Sequence, residues 1–122
     1  MARRGSRPGS TCPALVVAKR SEVYWVSLDP AVGTEIRKTR PCVVVSPDEL
    51  NSRLHHVTVA PLTGTIRPFQ FRVTTRVAGR PSSVVLDQLR TVDIARLGER
   101  AGKVDTRTMR EILGKLQAMF AE

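Results

Sequence analysis

The chain has 122 residues, 41% of them hydrophobic, which is enough for one domain with a modest core but not for two. Twenty Lys and Arg against eleven Asp and Glu give a formal net charge of +9, so the composition indicates a polyanionic partner. One Trp, one Tyr and three Phe are too few for a surface of stacked aromatic rings, and no stretch approaches the roughly 20 apolar residues of a membrane span.

Residues 1–19 are rich in Arg, Gly, Ser and Pro and show no hydrophobic periodicity. We predict a disordered basic arm over 1–19 and a single domain over 20–122. The apolar run at 14–18 is shorter than the core of a signal peptide, which needs about 7–15 residues. The two cysteines, Cys12 and Cys42, form neither a metal-ligand spacing nor a disulfide framework. A cytoplasmic protein is therefore expected.

The first half of the domain reads as three strands. Residues 22–28 are β-branched and aromatic, with Tyr24, Val26 and Leu28 on one face. A polar loop over 33–40 follows, and Pro41 opens the apolar run 42–45, which is too short for a helix and suits a buried strand. Residues 46–51 predict one helical turn or a tight loop, and 55–62 predict the third strand.

The second half predicts two or three more strands and a helix. In residues 68–73 the side chains alternate, with Phe71 and Val73 inward and Arg72 outward; 83–86 is a short apolar strand and 101–104 a possible last one. Asp105 is a good N-cap for a helix with an apolar stripe. The members of that stripe are Met109, Ile112, Leu113, Leu116 and Phe120. This order predicts an α+β fold: a small half-open β-barrel of five to six mostly antiparallel strands with a C-terminal helix.

Three polar groups interrupt the apolar pattern. They are the loop with Glu35, Arg37, Lys38 and Arg40, then Thr63 after the third strand, and the run 87–93 with Asp87, Gln88, Arg90 and Thr91. Each has an ordinary structural interpretation. The loop charges can be solvated, Thr63 can cap a turn, and Asp87 with Arg90 can form one ion pair at a strand end. Taken one at a time, the spacings favour these structural interpretations.

Together, four segments form an ordered pattern: 22–35 (EVYWVSLDPAVGTE), 40–47 (RPCVVVSP), 59–63 (VAPLT) and 87–93 (DQLRTVD). In this order and spacing, from about Arg20 to Ala118, the chain resembles the MazF/PemK family of toxin endoribonucleases. The resemblance implies a barrel related to the SH3-like and CcdB-type toxins, working as a homodimer. It also implies metal-independent, sequence-specific cleavage of single-stranded RNA, without a cofactor, and neutralisation by an acidic, MazE-like antitoxin.

The same resemblance assigns candidate site residues. Arg40 and Thr63 match the catalytic arginine and threonine of the family, and Glu35 matches an acidic loop residue implicated in some members. We expect the RNA contacts to come from Arg37, Lys38, Asp87, Gln88, Arg90 and Thr91. The residue types suit the chemistry, since a guanidinium stabilises charge on phosphorane oxygens and a carboxylate accepts a hydroxyl proton.

Two departures from the PemK branch bear on the mechanism. That branch has a histidine at the position of Thr34 and an arginine at that of Val85, and this chain has neither. The acidic residue that matches Asp87 is retained. The arrangement of Arg40 with Thr63 is therefore the better prediction. His55 and His56 are strand neighbours that point to opposite faces, and they match no family motif, so we expect structural or RNA-contacting roles for them.

Two alternatives of other classes remain at this point. A CcdB-like toxin shares the fold and binds a topoisomerase without being an enzyme, but that activity goes with a Trp-Gly-Ile ending, and this chain ends in Met-Phe-Ala-Glu. A binding module without catalysis is the second alternative. If it bound peptides as SH3 domains do, it would need an aromatic lining that five aromatic residues barely supply. An RNA-binding module without catalysis remains as an alternative.

Overall fold

The computed structural model describes residues 17–36, 38–66 and 70–122. The elements, in chain order, are β1 (Glu22–Ser27), β2 (Thr39–Val44), α1 (Asp48–Asn51), β3 (His56–Thr63), β4 (Arg72–Val77), β5 (Arg80–Val85), β6 (Arg90–Asp93), β7 (Leu97–Lys103) and α2 (Thr106–Phe120). Short 3₁₀ turns at Leu86–Gln88 and Ile94–Arg96 flank β6. Most of the basic arm predicted over 1–19 lies outside the described residues.

All strand pairs are antiparallel, in the order β4-β5-β3-β2-β1-β7, with β6 paired to the other half of β3. Because β3 pairs with β2, β5 and β6 along its length, the sheet curls into a half-open barrel. The predicted α+β class, half-barrel and C-terminal helix are confirmed. The described chain has seven strands rather than five or six, since β6 forms within the polar run that sequence patterning alone did not recognise as a strand.

The strand predicted at 68–73 begins later in the structure, because β4 spans Arg72–Val77. Its β-branched residues continue to a two-residue turn at Ala78 and Gly79, where both φ angles are positive, at 52° and 79°. Positive φ at both central residues is the requirement of the type I′ hairpin turn, whose twist matches that of the strands. This turn sets the register of β4 against β5, with Arg72 opposite Val85.

Two apolar clusters lie on opposite faces of the sheet. One contains Val43, Leu62 and Val84 and is covered by Met109 and Ile112 of α2. The other lies on the face away from the helix, which we call the groove face. It includes Val26, Cys42, Val44, Val59 and Val92. Strand alternation therefore decides which side chains meet the helix and which meet the groove face.

Helix α2 begins as predicted. Asp105 has extended backbone angles, and its carboxylate accepts a hydrogen bond from the N–H of Thr108 over 2.8 Å. The predicted stripe holds for Met109 and Ile112, which are buried, but Phe120 in the last turn is 74% exposed. Within the three described ranges, neither helix is long and apolar enough to cross a membrane.

Candidate active site

Arg40 and Thr63 lie on paired strands, each two residues beyond Cys42 and Pro61, the pair that ends the ladder between β2 and β3. Beyond that pair, Arg40 is paired with Val26 of β1 and Thr63 with Ser83 of β5. Each lies two residues from a groove-face position and therefore points to that face. Arg40 is exposed and Thr63 is half-buried, with its hydroxyl accepting a hydrogen bond from the N–H of Thr65 over 3.2 Å.

The loop between β1 and β2 forms one wall beside them. At its base, the N–H of Lys38 donates to a carboxylate oxygen of Asp29 over 3.0 Å. Within the loop, Glu35 is exposed, and its Oε1 accepts from the N–H of Val32 over 2.6 Å. Glu35 therefore stabilises the turn that carries it. The carboxylate has a second oxygen with which to meet a substrate.

The opposite wall is the segment between β5 and β6. Gln88 lies in the 3₁₀ turn, and its Oε1 accepts a hydrogen bond from the N–H of Ile36 over 2.8 Å. Arg90 pairs with Val59 in the register of β6 and β3, so it points to the groove face. One of its terminal nitrogens donates to the carbonyl of Leu28 over 2.7 Å. Both side chains thus connect this segment to β1 and its loop.

Between these walls lies a groove of about 650 Å³. Its apolar surface comes from Leu28, Pro30, Ile36, Pro61 and Leu89, and its polar surface from Thr34, Glu35, Asp87, Gln88 and Arg90. Four of the predicted site residues, Glu35, Asp87, Gln88 and Arg90, therefore meet at one groove. Arg40 and Thr63 lie next to it, two residues along their strands from Cys42 and Pro61.

The remaining predicted residues are distributed differently. Arg37 lies outside the described residues. Lys38 is exposed at the end of the loop. Thr91 follows Arg90 in β6 and so points away from the groove face, where its hydroxyl lies 2.9 Å from that of Thr58. His56 begins β3, at the end remote from Thr63.

Cys42 lies under the groove face and is fully buried. Burial raises the pKa of its thiol to about 12, and the charge of Arg90 offsets this only in part. The thiol is therefore protonated at neutral pH and unsuited to act as a nucleophile. Among the described residues, no three or more His, Cys, Asp or Glu side chains are grouped to hold a metal ion.

The ion pair suggested between Asp87 and Arg90 is not formed. Asp87 instead pairs with Arg72 of β4, whose Nε lies 3.4 Å from Oδ1. Sequence patterning placed Arg72 on the outward side of its strand, but nothing in the spacing of the two residues indicated the contact. Arg72 lies opposite Val85, the position where the PemK branch carries its arginine.

The chain is similar to known proteins over nearly its whole domain. A family model described as a PemK-like, MazF-like toxin of type II toxin–antitoxin systems matches residues 19–120. Endoribonuclease PemK of Escherichia coli is 37% identical over 108 residues, covering 84% of this chain and 81% of that protein. Endoribonuclease EndoA of Bacillus subtilis is 30% identical over 112 residues, covering 87% of this chain and 97% of that protein.

Solved structures agree with these relatives. MazF from Deinococcus radiodurans superposes with a TM-score of 0.76 at 25% identity, covering 85% of this chain and 96% of that one. An endoribonuclease from a mycobacterial species, in complex with its cognate antitoxin, gives 0.70 at 25% identity, covering 82% and 91%. The match of the family model, the identity to PemK and the shared half-barrel lead to one conclusion: this chain belongs to the PemK-like, MazF-like toxin family of type II toxin–antitoxin systems.

Proposed function

We propose that this endoribonuclease cuts single-stranded RNA with Arg40 and Thr63 as catalytic residues. In the proposed reaction, a ribose 2′-hydroxyl attacks the adjacent phosphorus. The P–O5′ bond breaks as the new P–O2′ bond forms, and the leaving 5′-oxygen takes a proton from water, so the products are a 2′,3′-cyclic phosphate and a 5′-hydroxyl. The observation that supports the proposal is that Arg40 and Thr63 both point to the groove face, each two residues beyond the pair of Cys42 with Pro61 in β2 and β3. A guanidinium and a hydroxyl on one face suit a phosphate that needs charge stabilisation on its non-bridging oxygens.

Each residue has a separate part in the proposed reaction. The positively charged guanidinium of Arg40 stabilises the extra negative charge of the phosphorane. The Thr63 hydroxyl donates to a non-bridging oxygen. Glu35 accepts the proton of the attacking 2′-hydroxyl through the carboxylate oxygen that does not bind Val32. None of these steps requires a metal ion or an organic cofactor.

The groove supplies the contacts that select the RNA. Asp87 and Gln88 line it with a carboxylate and an amide, groups that hydrogen-bond the edges of unstacked bases. Arg90 adds positive charge beside them. Lys38, at the end of the loop, and Arg37 supply phosphate contacts in this proposal, whereas the exposed Thr91 points away from the groove face, beside Thr58. This division between base and phosphate contacts accounts for cleavage at short sequence motifs.

The partners follow from the family and from charge. Solved relatives from Deinococcus radiodurans include MazE-MazF complexes. We extend this arrangement to the present chain as a homodimer neutralised by an acidic, MazE-like antitoxin. The net charge of +9 favours such a partner, as it favours RNA. A cytoplasmic location is part of this proposal, because RNA and the antitoxin are the proposed partners.

The alternatives are less well supported. Three relatives that match this chain over most of their length are named endoribonucleases. This favours catalysis over a module that only binds RNA. A CcdB-like activity against a topoisomerase is not supported by these relatives, since all three are named endoribonucleases.

The test is digestion of a long single-stranded RNA by the purified chain in EDTA. We expect discrete fragments whose 5′ ends polynucleotide kinase labels directly, because the ends carry hydroxyls. Sequencing these ends reads the cut motif. A folded protein that leaves every long RNA intact, or that produces 5′-phosphate ends, contradicts the proposal.

A further inference from the structure

Arg72 and Asp87 form an ion pair at the rim of the groove. The Nε of Arg72 lies 3.4 Å from Oδ1 of Asp87. The two partners differ in exposure, since 15% of the Arg72 side chain and 50% of the Asp87 side chain are accessible to solvent. The arginine is thus packed into the protein surface, whereas the carboxylate remains open to the groove that it lines.

The sheet fixes Arg72 on the groove face. Its neighbour Val73 belongs to the cluster under α2, and Thr75 reaches the hydroxyl of Thr108 in the helix over 3.2 Å. Alternation along β4 therefore turns Arg72 and Arg76 to the other side. The pairing of Arg72 with Val85 places it within two residues of Asp87, across the hairpin that the type I′ turn defines. The guanidinium that contacts Asp87 therefore belongs to a residue of strand β4 and not to a loop residue.

Asp87 needs a fixed orientation if it is to read a base. An ionised carboxylate only accepts hydrogen bonds, so it discriminates in favour of bases that present amino or imino N–H groups. A carboxylate that rotates freely at the surface loses this selectivity, because it can also turn toward the edge of a different base with little loss of free energy. A planar guanidinium bound to one carboxylate oxygen restricts that rotation and leaves the other oxygen available to accept from a base.

We propose that Arg72 is a positioning residue for base selection: it holds the Asp87 carboxylate toward the groove, where the carboxylate binds the N–H edge of one nucleobase of the RNA. This inference rests on the proposed function, since it concerns the same groove.

The test compares Arg72→Gln with Arg76→Gln. Both arginines lie on the groove face of β4 and lose the same charge, but Arg76 donates to the carbonyl of Gly79 at the hairpin turn. A randomised single-stranded RNA is digested with each variant, and the 5′-hydroxyl ends are sequenced. We expect Arg72→Gln to reduce the preference at one position of the cut motif by about tenfold, the size of one base-edge contact. Arg76→Gln keeps the wild-type preference.

Asp87→Asn identifies the position concerned. It is expected to relax the same position of the motif as Arg72→Gln, and the double variant is expected to select no more weakly than Asp87→Asn alone. Arg72→Lys keeps a cation beside the carboxylate and is expected to restore most of the preference. Equal motifs for Arg72→Gln and Arg76→Gln, or additive losses in the double variant, overturn the inference.

Two further outcomes are separable. RNA left intact by the wild-type chain contradicts the proposed function, whereas cutting with an unchanged motif in Arg72→Gln contradicts only the role of Arg72. If Arg72→Gln fails to fold, the exchange Arg72→Asp with Asp87→Arg keeps the ion pair while removing the carboxylate from its place. That exchange variant is expected to cut without preference at this position, and a wild-type motif from it overturns the inference.

Discussion

Gln88 accepts a hydrogen bond from the backbone N–H of Ile36 over 2.8 Å, and this contact joins the 3₁₀ turn after β5 to the loop after β1. The two residues are 52 positions apart in the chain. Both belong to the walls of the groove, so the Gln88 side chain, together with that of Arg90, connects the walls. The amide of Gln88 therefore supports the loop that carries Glu35, in addition to any contact with RNA.

Gln88→Ala is expected to loosen this loop without unfolding the domain. Losing one hydrogen bond of about 1 kcal/mol raises the open population severalfold. Hydrogen exchange at the Ile36 amide is expected to accelerate by about that factor, together with a fall in RNA cleavage. Gln117→Ala, on the exposed side of α2, is the matched control. Unchanged exchange at Ile36 would show that the loop keeps its place without Gln88.

Arg40→Ala is expected to slow cleavage by on the order of 100-fold or more, the loss seen when one donor to a developing oxyanion is removed. Its melting temperature is expected to stay close to wild type, because Arg40 is exposed. Single-turnover cleavage and thermal melting measure the two effects. Arg53→Ala, which removes an exposed arginine near α1, controls for net charge. A parallel loss of stability would assign Arg40 a structural role instead.

Glu35→Gln separates two roles of one side chain. The glutamine oxygen still accepts from the N–H of Val32, so the turn is preserved, but the amide cannot take a proton. We expect cleavage to fall by about 100-fold or more, within the range of a lost general base. Glu99→Gln in β7 removes an exposed carboxylate elsewhere and serves as the control. Wild-type rates for Glu35→Gln would leave the residue only its part in the turn.

Ser83→Ala is expected to stabilise the domain. Ser83 is fully buried in β5, and among the described residues its hydroxyl has no hydrogen-bond partner. A buried hydroxyl without a partner costs about 1–3 kcal/mol, so its removal should raise the free energy of unfolding by about 1 kcal/mol. Chemical denaturation measures the change. Ser82→Ala, whose hydroxyl donates to the carbonyl of Arg80, is the control. A loss of stability in Ser83→Ala would mean that this hydroxyl is bonded in solution.

Cys42 makes the stability of the domain depend on pH in the alkaline range. Burial raises the pKa of the thiol from 9.0 to about 12, so between these values the unfolded chain loses a proton that the folded chain keeps. Fewer protons are bound in the unfolded state, and stability therefore falls as pH rises from about 9 to about 12. Denaturation at several pH values should show a smaller fall for Cys42→Val. Parallel curves would contradict the assignment to Cys42.

Much of the fold is determined by local sequence. Alternating β-branched residues specify β1 and β3, and the carboxylate of Asp105 caps α2 where the pattern predicts. The ordered motifs also identify the family, because motif spacing survives where overall identity is only 37%. The same motifs predict Arg40 and Thr63 as site residues, and the pairing of β2 with β3 sets the strands that carry them side by side.

Only the tertiary structure decides which side chains meet. The sequence suggested Asp87 with Arg90, three residues apart, but Asp87 contacts Arg72 and Arg90 reaches the carbonyl of Leu28, 62 residues away. The offset of β4 and the presence of β6 were likewise not visible in residue patterns. The physical reason is that strand periodicity specifies which face a side chain occupies, whereas cross-strand register is set by turn geometry and by packing between distant segments.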